Sequence, residues 1–418
     1  MEDKLGYSKY LAPAHTHCSV SNKHFSTDLL SFFSYLLENR LSLLVYRFIF
    51  GMINSAQTIT SGFLTRKIRN LLDDVKGQFP FLRDRGSLKW LTTPHCDWCG
   101  GQWIGMLLRA YSLNGDSQLL TAAEDYLELA DDRWSDRDEF LGFIFSYGRG
   151  LHYQLFRDAE SKSKCIAAAD LVARMYNSKI GLIPLGEGCR VLGTNVCGED
   201  KAAVDGAAIG NSILFTAYDL TGNHGYLELA DKNLKNSLKL FMRPDGSTVH
   251  MVEFDPETGS VKRKYNNLGY DDDSTWSRGQ AWIILALSDA VTHGLSQYED
   301  SAWRAFRFFW DNTCKEDRTP PYDFHYAKSR DVVPSDTSAL SITLYAMLNL
   351  GLNKASSKTM SLASEMLQSL LRHVDTDPDS NQMLLNGCFD YPRSLGTDAD
   401  LIWGDYYFFE SYLRMMKA

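Results

Sequence analysis

The sequence predicts an all-α protein whose helices close into an (α/α)6 barrel, and three observations lead there. Helical patterns of two kinds alternate strictly along the chain. The end of one inner helix is repeated at the end of another. The loops that enter one kind of helix are much longer than those that leave it.

The first kind is amphipathic with a charged face and covers Ser61–Val75, Ser117–Asp131, Ala159–Tyr176, Tyr226–Phe241, Tyr298–Thr313 and Lys358–His373. The second is richer in Gly, Ala and aromatic residues and covers Gly100–Leu113, Leu141–Phe156, Asp205–Leu220, Ser277–Val291, Thr337–Leu350 and Leu401–Met415. A charged face suits an outer layer, whereas a helix apolar on all sides must be enclosed by others. The repeat sets Leu107-Leu108-Arg109-Ala110-Tyr111-Ser112-Leu113-Asn114-Gly115-Asp116 beside Ile213-Leu214-Phe215-Thr216-Ala217-Tyr218-Asp219-Leu220-Thr221-Gly222-Asn223. In both, Gly supplies a left-handed stop and an outer helix follows. Loops 177–204, 242–276, 314–336 and 374–400 gather on one face, where a rigid scaffold usually carries its site. Within 242–276, Ser247–Phe254 and Val261–Tyr265 flank a turn and read as a hairpin. No linker divides the array. The domains read as an N-terminal arm and packing helix (1–60) and one catalytic barrel domain (61–418).

Composition narrows the partners. The chain has 418 residues, 44% hydrophobic and 12% aromatic, with a net charge of −9. Without basic runs, nucleic acid is not the expected partner. Residues 29–53 look apolar, but Glu38, Arg40 and Arg47 interrupt them. They read as an amphipathic packing helix rather than a membrane span, and no signal peptide begins at Met1. The eight cysteines are scattered, as in a reduced cytoplasmic protein. Cys96 and Cys99 form half of a zinc motif with no second pair nearby, so no metal is expected.

Chemistry concentrates in Asp271-Asp272-Asp273-Ser274-Thr275-Trp276-Ser277-Arg278-Gly279-Gln280-Ala281-Trp282. Asp and Ser before a helix suit capping, and two tryptophans suit packing. A guanidinium between two flat apolar faces also suits a sugar ring that carries a carboxylate. Asp205 falls at the first turn of an inner helix among Val204, Gly206, Ala207 and Ala208. Burial there would raise its carboxyl toward general-acid use, although capping alone also explains an Asp at that place. His250 lies on the strand pattern that enters the proposed mouth.

The stretch Gly269-Tyr270-Asp271 through Trp282 resembles the unsaturated glucuronyl hydrolases, glycoside hydrolase family 88, and their rhamnogalacturonyl relatives. Phe254-Asp255-Pro256-Glu257-Thr258-Gly259, Asp336-Thr337-Ser338-Ala339 and Leu401-Ile402-Trp403-Gly404-Asp405-Tyr406-Tyr407-Phe408 are similar to theirs as well. The resemblance covers most of residues 90–415. It implies an (α/α)6 barrel without metal or cofactor. The implied substrate is a small anionic oligosaccharide ending in a Δ4,5-unsaturated uronic acid. One Asp would protonate C4 and activate water for C5, after which the hemiketal opens and the sugar leaves. By the resemblance Asp205 takes that role, and His250, Trp276, Arg278, Trp282 and Trp103 contact substrate.

Three positions depart from the family pattern. Glu139-Phe140-Leu141-Gly142-Phe143 puts Phe where the family's second Asp stands, leaving Asp138 or Glu139 to substitute. Counted back from Leu214-Phe215, Asp205 stands one residue early, with Gly206 at the family's acid position. Leu268 replaces a substrate-binding Gln. The competing readings are a family member with a different uronyl or glycoside substrate, a non-catalytic sugar-binding relative, and an epimerase pairing His250 with His152. The oligomeric state is expected to be monomer or homodimer.

Overall fold

Each expected outer pattern becomes a helix, and four of the starts follow one rule. Residues 59–188, 196–328, 334–352 and 357–417 are described by the computed structural model. Outer helices are α1 (Ser61–Val75), α3 (Ser117–Asp131), α6 (Ala159–Met175), α8 (His224–Phe241), α10 (Glu299–Asn312) and α12 (Ser357–Leu371). Thr60, Asp116, Asp158 and Asn223 cap the first four through side-chain oxygens that accept from Phe63, Gln118, Ser161 and Gly225 amides. Each cap satisfies an amide that has no partner in the first turn. The expected packing helix over 29–53 lies outside the described residues.

Inner helices are α2 (Gly100–Asn114), α4 and α5 (Leu141–Phe145 and Leu151–Phe156), α7 (Gly206–Thr221), α9 (Ser277–Thr292), α11 (Thr337–Leu352) and α13 (Ile402–Lys417). The repeat read in the sequence is a repeated hairpin. Gly115 and Gly222, both at φ 70°, end α2 and α7, and the next residue caps an outer helix. Consecutive inner helices touch in a ring that closes where α13 meets α2. Six inner helices inside six outer ones make the (α/α)6 barrel. The pattern over 141–156 is one correction to the expected elements, because a π-helical turn, Ser146–Gly150, interrupts it.

Two small sheets, largely unforeseen, flank the mouth. β1 (Phe79–Asp84) lies between β2 (Leu91–Thr93) and β6 (Ala399–Leu401), and β6 runs directly into α13. The second sheet orders β3 (Lys201–Ala203), β4 (Met251–Phe254) and β5 (Val261–Tyr265). β4 is shorter than the expected Ser247–Phe254 because Thr248 instead bridges to Met242 in a tight turn. The side chain of Gln280 pins that turn. Its Oε1 accepts from Thr248 Oγ1 at 3.0 Å, and its Nε2 donates to the carbonyls of Gly246 and Ala305.

Helices α4 and α7 approach closely at Gly142, where any Cβ would collide with the Ile209 carbonyl oxygen. This crossing places the residues just before both helices side by side. Gly142→Ala should therefore cost roughly 1–3 kcal/mol, as overpacking of a close helix crossing does. A lowered urea midpoint with unchanged helical circular dichroism is the expected result.

Candidate active site

The site grows out of the pairing between β3 and β4. Ala203 pairs with Met251, and one residue further on the Val204 amide donates to the His250 carbonyl at 2.9 Å. That register sets Asp205 against His250, with Nε2 3.7 Å from Oδ1. Asp205 precedes α7 with helical backbone angles and makes no side-chain capping bond. Its carboxyl is thus not spent on the helix. Oδ1 is buried without a hydrogen-bond partner among the described residues, while the side chain keeps 20% exposure in a cleft.

Burial raises the Asp205 carboxyl to about 6, against the opposing pull of its own backbone amide and of the Arg278 guanidinium. His250 is buried and pushed down to about 3, chiefly by desolvation, so it is neutral. The amides of Asn267 and Leu268 both donate to its Nδ1 at 3.3 Å. Asn266 Oδ1 stands at the same 3.3 Å from Nδ1, and the other ring nitrogen, Nε2, faces Asp205.

The cleft encloses about 560 Å³ including its open mouth. Asp205, His250, Trp276, Arg278 and Trp282 all line it, together with Trp98, Phe140, Leu268 and Phe389. Trp98 meets Trp282 edge-on at 6.3 Å, and His250 lies 4.6 Å from Trp276. Flat apolar walls around few polar groups suit a sugar ring. Most lining residues come from chain just before, or at the first turns of, inner helices, which is why they converge at one end of the barrel.

Several expected roles change once positions are known. Arg278 is expected to meet a substrate carboxylate, but its Nη1 bonds Asp336 Oδ2 at 2.6 Å and the Cys388 carbonyl. Its Nη2 bonds the Phe389 carbonyl at 2.7 Å. The guanidinium also stacks 4.5 Å from the Trp276 ring. It therefore builds the wall as well as lining it. Trp103 does not reach the cleft. It is wholly buried beside Tyr126, with ring centroids 6.0 Å apart, on the side of α2 that faces α3. Asp138 is also outside the cleft, fully buried, ion-paired with Arg133 and accepting from the Phe140 amide.

Asp271–Asp273 do not cap α9, whose capping residue is Trp276 with no side-chain bond, and all three are exposed. His152 sits beside Ser161 at 2.9 Å, away from the cleft that holds His250. Cys96 and Cys99 are buried free thiols, and no three His, Cys, Asp or Glu side chains cluster as metal ligands among the described residues. Phe140, at the place of the family's second Asp, lines the cleft, and Phe389 does so with no signal in the sequence beyond the length of loop 374–400.

Known proteins resemble the whole barrel. The chain is 27% identical over 332 residues to an unsaturated chondroitin disaccharide hydrolase of Streptococcus agalactiae, covering 77% of this chain and 82% of that one. It is 26% identical over 380 residues to an unsaturated glucuronyl hydrolase of a Bacillus species, covering 85% and 95%. The crystal structure of the Bacillus sp. GL1 unsaturated glucuronyl hydrolase superposes with a TM-score of 0.77 at 25% identity, over 84% of this chain and 95% of that one. No sequence-family model matches the chain.

Two measurements follow from the site's electrostatics. Asp205 holds its proton more tightly folded than unfolded, so the stability this confers is present below about 4 and is lost as pH rises through about 6. Asp205→Asn should accordingly be the more stable protein at pH 8, by on the order of 3 kcal/mol at most, with the gap closing at pH 4. Arg278→Lys keeps the charge but cannot bond Asp336 and two carbonyls together. Urea unfolding should show a loss of roughly 2–4 kcal/mol.

Proposed function

We propose that this chain, which belongs to the unsaturated glucuronyl hydrolase family, hydrolyses a small oligosaccharide bearing a Δ4,5-unsaturated uronic acid at its non-reducing end, with Asp205 as the acid and base. The family membership rests on relatives that match over most of both chains and on the shared barrel. Relatives are named for unsaturated glucuronyl and chondroitin disaccharide hydrolysis, which supports the substrate class.

The observation that carries the role of Asp205 is a carboxyl in an aromatic cleft, uncommitted to capping and raised to about 6. Such a group is half protonated at about pH 6, so both forms are populated just below neutrality and it can serve as acid and then as base. Its proton goes to C4 of the enol ether, leaving positive charge at C5 and O5. The Asp205 carboxylate then takes a proton from water as the oxygen bonds C5. The resulting hemiketal opens and the aglycone departs. Neutral His250 turns its Nε2 toward the carboxylate, and Trp98, Trp276 and Trp282 supply apolar walls for the ring.

Six free cysteines among the described residues, four of them buried, support a reducing, cytoplasmic setting. No helix among the described residues is long and apolar enough to cross a membrane. We place the enzyme in solution as a monomer or homodimer.

The test is consumption of the C4=C5 chromophore of unsaturated disaccharides, followed by ultraviolet absorbance. Asp205→Asn should lower turnover by about 10² to 10⁴ while leaving the fold intact. In the wild type, kcat/KM should fall about tenfold per pH unit above about 6, as Asp205 loses its proton. His250 should add no acidic limb between pH 4 and 6, because it is already neutral there. A wild-type protein inert on every such disaccharide would favour a sugar-binding relative instead.

A further inference from the structure

Behind His250 a line of side chains runs away from the cleft, and the reaction as written uses none of them. Asn266 Oδ1 stands 3.3 Å from His250 Nδ1, the ring nitrogen that does not face Asp205. Asn266 Nδ2 donates to Ser274 Oγ at 3.0 Å, and Ser274 Oγ donates to Asp323 Oδ2 at 2.6 Å. Asp323 also accepts from the amides of Tyr270, His325 and Tyr326. Ser274 and Asp323 are fully buried. Neither they nor Asn266 line the cleft, although Asn267 and Leu268 do. The line therefore reaches the site through His250 and through the turn that begins at Asn266.

Its neighbours leave the Asn266 amide one way to face. Ser274 has a single hydroxyl hydrogen, and two acceptors claim it, Asp323 Oδ2 and the Asp271 carbonyl at 2.8 Å. Toward Asn266 the hydroxyl can therefore only accept, which calls for the Nδ2 end of the amide. The Gly269 amide, donating at 2.7 Å, calls for the oxygen on the other side. Gly269 also makes the room, since a Cβ there would collide with the whole Asn266 amide group. With that group held at both ends, the next two amides, of Asn267 and Leu268, are brought to His250 Nδ1.

We infer that Asn266 is a positioning residue for His250, locked by Gly269 and by Ser274, and through Ser274 by Asp323, so that the ring keeps Nε2 toward Asp205. This rests on the reading of Asp205 as the acid and base. An amide does not ionise, so the line orients the imidazole and brings no charge to it. The charged groups around the ring are Asp205 across 3.7 Å, Arg278 from α9 and Arg393 from the loop before α13. Both cations oppose a charge on His250, in step with its burial. A carboxylate in place of the Asn266 amide would work against all three.

Ser274→Ala removes the hydroxyl that orients Asn266, and Gly269→Ala closes the space its amide occupies. In each, kcat should fall about tenfold, the worth of one hydrogen bond, with a smaller change in KM. Independently of any substrate, the ¹⁵N signals of the His250 ring should move in both variants. Asn266→Asp sets a carboxylate beside Nδ1. It should raise the His250 titration from about 3 by about 1–3 pH units, as an opposite charge at this range does. Ring signals unmoved in Ser274→Ala and Gly269→Ala overturn the inference, whatever the activity. Moved signals with an unchanged kcat overturn it too, as does a His250 titration that Asn266→Asp leaves in place. Moved signals where the wild type turns over no unsaturated disaccharide support the positioning of His250 and overturn the hydrolase reading instead.

Discussion

The bond between Arg278 and Asp336 holds the site together, because it joins three stretches of chain that share no local sequence. Arg278 stands in the first turn of α9, Asp336 directly precedes α11, and the Cys388 and Phe389 carbonyls belong to the loop before α13. Both charges are buried, which is tolerable only because their hydrogen bonds are met. Asp336 accepts from Arg278 and also from the Ser338 and Cys388 amides. The result delivers Phe389 into the cleft and fixes the guanidinium against Trp276. A residue whose chemistry resembles anion recognition thus acts first as masonry.

That cation also acts on Asp205. Asp205 is raised by burial and drawn back first by its own backbone amide and then by Arg278, and the balance lies near 6. Stability is sacrificed in the process. A carboxyl that capped its helix would be content, but it would be fixed on the backbone. The helical backbone angles at Asp205 forgo the capping bond and leave the group uncommitted.

The barrel explains why all this happens at one end. Tight turns after α2 and α7 leave no room for a site, whereas long loops precede α7, α9, α11 and α13. Two of those loops contribute β3, β4 and β5, whose register places His250 against Asp205. A small sheet is a more exacting positioning device than a free loop, since a one-residue slip would turn His250 to the other face.

What the sequence determined by itself was periodicity and punctuation. Alternating charged and apolar helical stripes, together with Gly115-Asp116 and Gly222-Asn223, specify helical hairpins and their order, because those signals act within a few residues. It also placed Asp205, His250, Trp276, Arg278 and Trp282 near the ends that form the cleft. Tertiary structure decided which of the chemically suited residues face the cleft. Trp103 and Asp138 turn away because one face of α2 packs on α3 and because Arg133 claims Asp138. Arg278 is committed to partners 58 and 110 residues distant. The gap beside Gly206 that takes the Glu139 carboxyl exists only where α4 and α7 cross. Such long-range pairings leave no period in the chain, since they depend on how helices meet rather than on how each one is written.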